Sequence, residues 1–581
     1  MGKIILGVNH SHNAGVAIIK DDKIVSVINE ERLNGVKNYW GFPELSLLEI
    51  IKQAKIKPEE IDIVAVCNLS ALGAADGDNP TQRAINIYEK QETIPEKKLM
   101  YNLANYKIVE TMFFSKMALL YSIYKSKEKK KEIFRKLRDI GIVCPIEFIE
   151  HHHAHACSAY YTSHFDDCLV YTSDFVGDFI SGTVYICKDG KMKRIKEMPF
   201  YPSPGMIYTW ITYMLGFTPG KHEGKVTGLA AYGNPDKTYE VFCKYLNLSK
   251  SKDKFIRNIR GFWYNNAIKM MKKDLEGCSR EDIAAGLQKR FEEVVSENIN
   301  HYIKKTGKDK IALAGGIFAN VRLNQKILEL DGVKEIFIHP AMDDGGLALG
   351  AALVIHKKHL PIDDVFFGPE YSDEDIKEVL DKENLKYKYM KNIEKEIAKR
   401  INQNKVVARF DGRMEYGPRA LGNRSILYNP KDRSVNDWLN ERLNRTEFMP
   451  FAPATLEEYE EEAYKNIKAK GKATNFMTIT FDVTDKFAKE CPAVTHLDGT
   501  ARPQIISKKD NPNFHKIIDE YRKLTGIPTI VNTSFNMHEH PIVMTPEKAV
   551  ASFMEGKLDY LAIGNYLVGY KENKKKGKGE K

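Results

Sequence analysis

No C-x-x-C pair occurs among the eight cysteines, at positions 67, 144, 157, 168, 187, 243, 278 and 491, so no paired-cysteine zinc motif is written into the chain and a reducing compartment is the natural expectation. No stretch of about 18 consecutive apolar residues is present, and Ile4 to Leu6 is the only apolar run before polar residues begin. No membrane span or signal peptide is expected, and the protein is read as soluble and cytoplasmic, with no membrane partner. Low-complexity tracts are missing as well; 43% hydrophobic and 29% charged residues describe an ordinary globular chain. A broad field of positive charge is also lacking, despite a formal net charge of +10. Residues 571–581 hold six lysines against two glutamates, and residues 125–139 hold eight basic residues against three acidic ones. The remainder is nearly neutral, so no nucleic-acid partner is expected. At 581 residues the chain is too long for one ordinary core, and a duplicated α/β fold would reduce the number of units needed.

What the chain does have is a run of histidines. Glu150-His151-His152-His153-Ala154-His155-Ala156-Cys157-Ser158-Ala159 places four of the sixteen histidines within five positions, after a β-like segment ending at Ile149. If the run opens a helix, His151 and His155 share a face while His152 and His153 point elsewhere. Two imidazoles on one face make half a metal site. They suit zinc, copper, nickel or iron, and carboxylates with open positions remaining would favour ferrous iron.

Along the chain, Lys3–Asn9, Gly15–Lys20 and Lys23–Ile28 read as strand, turn, strand, with the polar turn Asn9-His10-Ser11-His12-Asn13 inside. A buried strand at 61–66 precedes a helix-rich stretch, about 84–139, that reads as an insertion. Asp167–Asp174, Gly177-Asp178 and Gly182–Ile186 repeat the opening arrangement, so a duplicated phosphate-loop fold is the economical reading. A helix capped by Ser279, with Asp282 as its capping-box partner, is expected to end at Gly307. The strand Lys310–Leu313 runs into Gly315-Gly316-Ile317-Phe318-Ala319-Asn320, where paired glycines let a ligand approach the backbone and an adenosine could sit. A further strand leads into Asp343-Asp344-Gly345-Gly346. Asp174 and Asp343 are the expected carboxylates of the metal site.

The charged segment 358–395, with Pro361 and Pro369, reads as a connector between a first domain (1–357) and a second (396–570), followed by a basic tail (571–581). The second domain carries Gly412–Leu427, His496–Arg502 and Asn532-Thr533-Ser534-Phe535-Asn536. Arginines among glycine and serine loops suggest an oxyanion or phosphate pocket, because guanidinium forks match phosphate oxygens.

His12 in the opening loop, Glu31-Arg32 with Lys37 following, the Glu150-His151-His152-x-x-His155 run, Gly224–Ala230, Gly315-Gly316, Asp343-Asp344-Gly345 and the three late motifs together resemble the O-carbamoyltransferases of the nodulation, cephamycin and tobramycin group, the NodU/CmcH family. The resemblance runs nearly end to end. It implies an α/β chain, with a duplicated actin-like ATPase fold of the ASKHA type in the first domain and an α+β YrdC-like second domain. It also implies an ATP-dependent O-carbamoyltransferase. The second domain would form carbamoyl-adenylate from carbamoyl phosphate and ATP with Mg2+, and the first would transfer the carbamoyl group to a hydroxyl of a small, sugar-like acceptor. The implied residues are Fe(II) ligands His151, His155, Asp174 and Asp343; His12 and Lys37 as base or binder; Gly315, Gly316, Asn320 and Asp344 for nucleotide; and Arg419, Arg424, Ser425, Arg502, Asn532 and Ser534 for carbamoyl phosphate and ATP.

The chain departs from that family at Asn444, where lysine is common nearby, at Met449, where arginine is common, and at Met537–Pro541, where Gly-Glu-Pro is commoner. A tRNA- or protein-thiol-directed carbamoyl transfer and a non-enzymatic actin-like nucleotide-binding module stand as alternatives. The oligomeric state is left open.

Overall fold

The computed structural model describes residues 2–70, 107–259, 264–445, 450–467 and 472–573. Residues 84–106 of the expected insertion, Met449, and residues 574–581 of the basic tail lie outside the described residues. The chain divides into two compact units, one comprising Met1–Glu30 and Asn38–Ile362, the other Glu31–Lys37, Asp363–Lys468 and Lys472–Lys581.

In the first unit, the run Ile4–Asn9 (β1) is buried at every position, as a central strand covered on both faces must be. It pairs antiparallel with Gly15–Lys20 (β2), which pairs with Lys23–Asn29 (β3). On its other side β1 runs parallel to Ile63–Cys67 (β4), and β4 parallel to Ile146–Ile149 (β5). Cys168–Gly177 (β6), Ile180–Lys188 (β7) and Lys191–Pro199 (β8) form the same antiparallel meander. After a short hairpin of Asn247–Leu248 (β9) and Phe255–Ile256 (β10), Lys310–Ala314 (β11) and Glu335–Ile338 (β12) join parallel to β6. The sheet orders β3-β2-β1-β4-β5 and β12-β11-β6-β7-β8 show that the second sheet repeats the first strand for strand.

Two helices lie between these sheets' central strands and fix the site. The helix Leu347–His356 and the histidine helix His151–Thr162 pack so closely that a Cβ on Gly350 would fall 2.2 Å from the carbonyl oxygen of Ala154. Gly7 of β1 meets the same helix, its hypothetical Cβ 1.9 Å from the oxygen of Ala348. Ala65, Cys67, Ile149, Ala154, Leu347 and Ala351 form the joint core there. The described part of the insertion holds the 3-10 turn Lys107–Glu110 and the helices Met112–Lys125 and Lys127–Asp139.

The long helix Arg280–Thr306 starts and stops as the sequence predicts: Ser279 accepts the N–H of Asp282, and Gly307 ends it at φ 67°. Asp282 departs from its expected role. Its carboxylate accepts the N–H of Asn234 at 2.8 Å and the ammonium of Lys237 at 2.7 Å, tying the helix start to the preceding loop.

The second unit holds Tyr387–Tyr389 (β13), Val407–Phe410 (β14), Arg424–Tyr428 (β15), Ala452–Leu456 (β16), Gln504–Ile506 (β19), Thr529–Ser534 (β20), Tyr560–Ile563 (β21) and Tyr566–Gly569 (β22) in one mixed sheet of order β13-β22-β21-β14-β15-β20-β16-β19. Phe481–Asp482 (β17) and Thr500–Ala501 (β18) pair separately. The segment 358–395 is not a bare connector. Its capped helix Asp373–Lys382 and the edge strand β13 belong to this unit, because alternate residues of a lysine- and tyrosine-rich run serve a sheet edge with one open side. Glu31–Lys37 also belongs here: buried Arg32 donates to the oxygen of Gly417 at 2.8 Å, and Lys548 donates to the oxygens of Arg32 and Leu33.

Candidate metal centre

The histidine helix begins at His151 because Glu150 caps it, its carboxylate accepting the N–H groups of His152 at 2.6 Å and His153 at 3.1 Å. Arg194 holds that carboxylate at 2.5 Å. His151 and His155, one turn apart, then project from one face. The irregular end of β6 carries Asp174, and Asp344 opens the 3-10 turn Asp344–Gly346 after β12. One donor atom from each of His151, His155, Asp174 and Asp344 lies within 4.8 Å of all the others. His155 Nε2 stands 3.3 Å from Asp174 Oδ2 and 3.6 Å from Asp344 Oδ1, while His151 Nε2 stands 3.8 Å and 3.6 Å from the same atoms.

The fourth donor of the cluster is Asp344, not the expected Asp343. Asp343 caps the 3-10 turn, its Oδ1 accepting the N–H of Gly345 at 3.0 Å and its Oδ2 the amide of Asn13 at 3.0 Å, and so turns away from the histidines. In a tight turn adjacent side chains diverge, and sequence spacing alone does not say which of two neighbouring acids faces the site.

The donor set fits a metal ion. The Nε2 atoms of His151 and His155 are buried and have no hydrogen-bond partner among the described residues. Burial opposes charging His151, yet Asp344 and Asp174 outweigh it and lift the imidazole to about 9; His155 is raised by the same carboxylates against the same burial penalty. Burial would raise Asp174, but the two imidazoles hold it well below the usual carboxylate range. Two nitrogens and two carboxylates thus converge on one point with strong mutual attraction, which a divalent cation would replace.

The other two histidines are structural. His152 is engaged at Nδ1 by Thr172 (2.9 Å) and at Nε2 by the oxygen of Ile180 (3.2 Å), and burial holds it well below its ordinary value. His153 meets the hydroxyl of Tyr185 at 3.1 Å.

His12 borders the cluster, its Nδ1 3.9 Å from Asp344 Oδ2 and its ring edge-on to Trp40. Lys37 lies in Glu31–Lys37 of the second unit. The glycine pair, expected at the nucleotide, lies against the end of β6. Gly315 adopts φ 112° and a Cβ on it would fall 2.0 Å from the oxygen of Ser173, while the N–H of Gly316 donates to Asp174 Oδ2 at 3.1 Å. The pair therefore seats Asp174 of the cluster. Asn320, expected at the nucleotide, caps the helix Val321–Leu328 by accepting the N–H of Leu323 and exchanges two bonds with Gln288, at 2.9 and 3.1 Å. Its amide is committed to packing.

In the second unit, Arg424 is buried and stacks 3.7 Å from the Phe410 ring centroid. Its guanidinium donates to the oxygens of Asp411, Asn423 and Gly412 at 2.8, 2.9 and 3.0 Å. Burial lowers it to about 10. It pins the loop through these carbonyls, while its buried Nε has no partner among the described residues. Ser425 accepts the N–H of Gly422 at 3.0 Å and is in register with Ser534. Asn532 donates to Ala420 at 3.1 Å and Gln504 at 2.7 Å, leaving a buried Oδ1 with no partner among the described residues. Arg419 and Arg502 are half-buried.

Two residues that sequence reasoning missed organise this region. One oxygen of buried Glu415 accepts the N–H groups of Leu421, Asn423 and Arg424. Arg445 forks over the Asn532–Asn536 motif, reaching the oxygens of Ser534 at 2.7 Å and Asn536 at 2.6 Å. The signal was available: Asn444, at φ 57°, ends the helix Val435–Arg442 in a conformation asparagine tolerates, and the charge missing there stands one residue later.

The family model described as Carbamoyltransferase N-terminus matches residues 4–353, and that described as Carbamoyltransferase C-terminus matches residues 398–570. A protein of Methanocaldococcus jannaschii is 32% identical over 97% of this chain and 99% of its own length. Nodulation protein NolNO of Sinorhizobium fredii is 29% identical over 96% of this chain and 79% of that protein. Among solved structures, that of T. kodakarensis HypF covers 61% of this chain and 48% of its own at 12% identity, with a TM-score of 0.33. With both family models matched over the greater part of its length, the chain belongs to the carbamoyltransferase family and is an enzyme of that class.

Proposed function

We propose that the protein is an ATP-dependent O-carbamoyltransferase that makes carbamoyl-adenylate from carbamoyl phosphate and ATP with Mg2+, and then transfers the carbamoyl group to a hydroxyl of a small, sugar-like acceptor. The observation that carries the transfer half is the convergence of two buried imidazole nitrogens and two carboxylates within 4.8 Å. Ferrous iron held by His151, His155, Asp174 and Asp344 would supply Lewis acidity and a template for phosphate or carbonyl oxygen. His12, beside Asp344, is placed to orient the bound group or take the acceptor hydroxyl's proton.

A carbamoyl carbonyl is a poor electrophile because its nitrogen donates into it, so a mixed anhydride with AMP provides the leaving group. In the second unit, Arg419, Arg502, the unpartnered Oδ1 of Asn532 and Ser534 are the candidate contacts to carbamoyl phosphate and ATP. Arg445 holds the loop of Asn532 and Ser534. The duplicated sheet supports an actin-like reading of the first unit, and the second is read as YrdC-like. Incubation with carbamoyl phosphate and ATP is expected to release pyrophosphate; its absence would sink the adenylation half. A mass increase of one carbamoyl group on a sugar-like acceptor tests the other.

A further inference from the structure

The hydrogen bonds around the opening loop fix which nitrogen of His151 faces the cluster. The amide Nδ2 of buried Asn9 has backbone oxygens around it, those of His12 at 2.8 Å, Asp344 at 3.0 Å and Asn13 at 3.3 Å, so this end of the amide must be the donor. Its Oδ1 therefore accepts, and the partners it accepts from are the N–H of Ser11 at 3.3 Å and the hydroxyl of Ser11 at 2.8 Å. With its proton spent on Asn9, the Ser11 hydroxyl can only accept from Asn68 Nδ2, 3.0 Å away. Asn68 is thereby oriented with Oδ1 towards His151 Nδ1, at 2.9 Å, and that nitrogen must carry a proton to make the bond. The lone pair of the neutral imidazole is left on Nε2, the atom that faces Asp174 and Asp344.

We infer that Asn68 is a positioning residue of the metal centre. Through the chain Asn9, Ser11, Asn68, backbone carbonyls of the opening loop select the Nδ1–H tautomer of His151 and aim its Nε2 lone pair at the ion. The same chain begins at the backbone oxygen of the ligand Asp344, so two ligands from opposite halves of the duplicated unit are linked through one relay. His155 has no such support: its Nδ1 finds no partner among the described residues. Fixing a ligand's tautomer and ring orientation typically changes metal affinity by roughly 10- to 100-fold.

This inference rests on the metal reading, and the experiment separates the two. Apo-protein of the full chain is titrated with Co(II), followed by its visible absorption, for the wild type, Asn68→Ala, Asn68→Asp, Ser11→Ala and His155→Ala, with thermal melting of each apo form. Asn68→Ala is expected to bind roughly 10- to 100-fold more weakly. Asn68→Asp, which keeps an acceptor for Nδ1–H, is expected to bind at least as tightly as the wild type, and Ser11→Ala to weaken binding less than Asn68→Ala. Wild-type affinity in Asn68→Ala, or Asn68→Asp as weak as Asn68→Ala with an unchanged melting temperature, overturns the positioning role. If Asn68→Ala does not fold, the contrast between Asn68→Asp and Ser11→Ala decides: loss in the first without loss in the second refutes the relay. A wild type that binds no Co(II), indistinguishable from His155→Ala, defeats the metal reading itself.

Discussion

At the scale of single residues, Asp343 and Asp344 divide two tasks that look identical in the sequence. Asp344→Ala is expected to reduce Fe(II) or Co(II) affinity by roughly 100-fold or more, since a ligand is removed. Asp343→Ala should keep the metal and lose about 1 kcal/mol of stability, the usual value of a lost cap; metal titration beside thermal melting distinguishes them. The pH dependence follows from the same cluster. His151 is raised from 6.5 to about 9, so in the metal-free protein its pairing with the carboxylates stabilises the fold fully below pH 6.5 and is lost as pH rises through about 9. Metal binding requires the neutral imidazole and must expel that proton. Affinity should therefore tighten, and apo-protein stability fall, as pH rises from 6.5 towards 9, with protons released on loading. Affinity independent of pH across that window would contradict the assignment of His151 as a ligand.

At the scale of elements, the site depends on close approaches that only glycine permits. The helix Leu347–His356 can sit against the histidine helix because Gly350 leaves room for the Ala154 carbonyl, 2.2 Å from where a Cβ would be. Gly350→Ala is expected to destabilise by about 1–3 kcal/mol, as overpacking of a dense core does, and to weaken metal binding with it. A variant melting like the wild type would show that the helices can separate freely. In the second unit the buried guanidinium of Arg424 holds three loop carbonyls. Arg424→Leu should cost roughly 3 kcal/mol or more, from the carbonyls left buried without donors. The measurement is thermal melting, and a change confined to KM for carbamoyl phosphate would restore the phosphate-binding role first expected of this residue.

At the scale of the whole molecule, the two units are expected to separate the two half-reactions. Asp344→Ala should still release pyrophosphate from ATP and carbamoyl phosphate while failing to carbamoylate the acceptor. Arg445→Ala, which loosens the Asn532–Asn536 loop, should lose pyrophosphate release while binding metal normally. Assay of both products in each variant tests the division; loss of both activities in Asp344→Ala would join the half-reactions at one site.

The sequence by itself determined what repeats locally. Its strand periodicities, the Ser279 and Gly307 helix signals, the i, i+4 spacing of His151 and His155, and the small residues beside them each follow from neighbours a few positions apart. From these alone the duplicated meander and half of the candidate metal centre are legible. Tertiary structure decided the rest. It chose Asp344 over Asp343, tied Asn320 to Gln288 and Arg424 to loop carbonyls, brought Glu31–Lys37 into the second unit, and linked Asn9, Ser11 and Asn68 to His151. Those outcomes turn on the direction of a side chain in a tight turn and on hydrogen bonds between residues up to 516 positions apart. Such bonds are set by which polar groups the fold leaves buried together, and no local pattern encodes that.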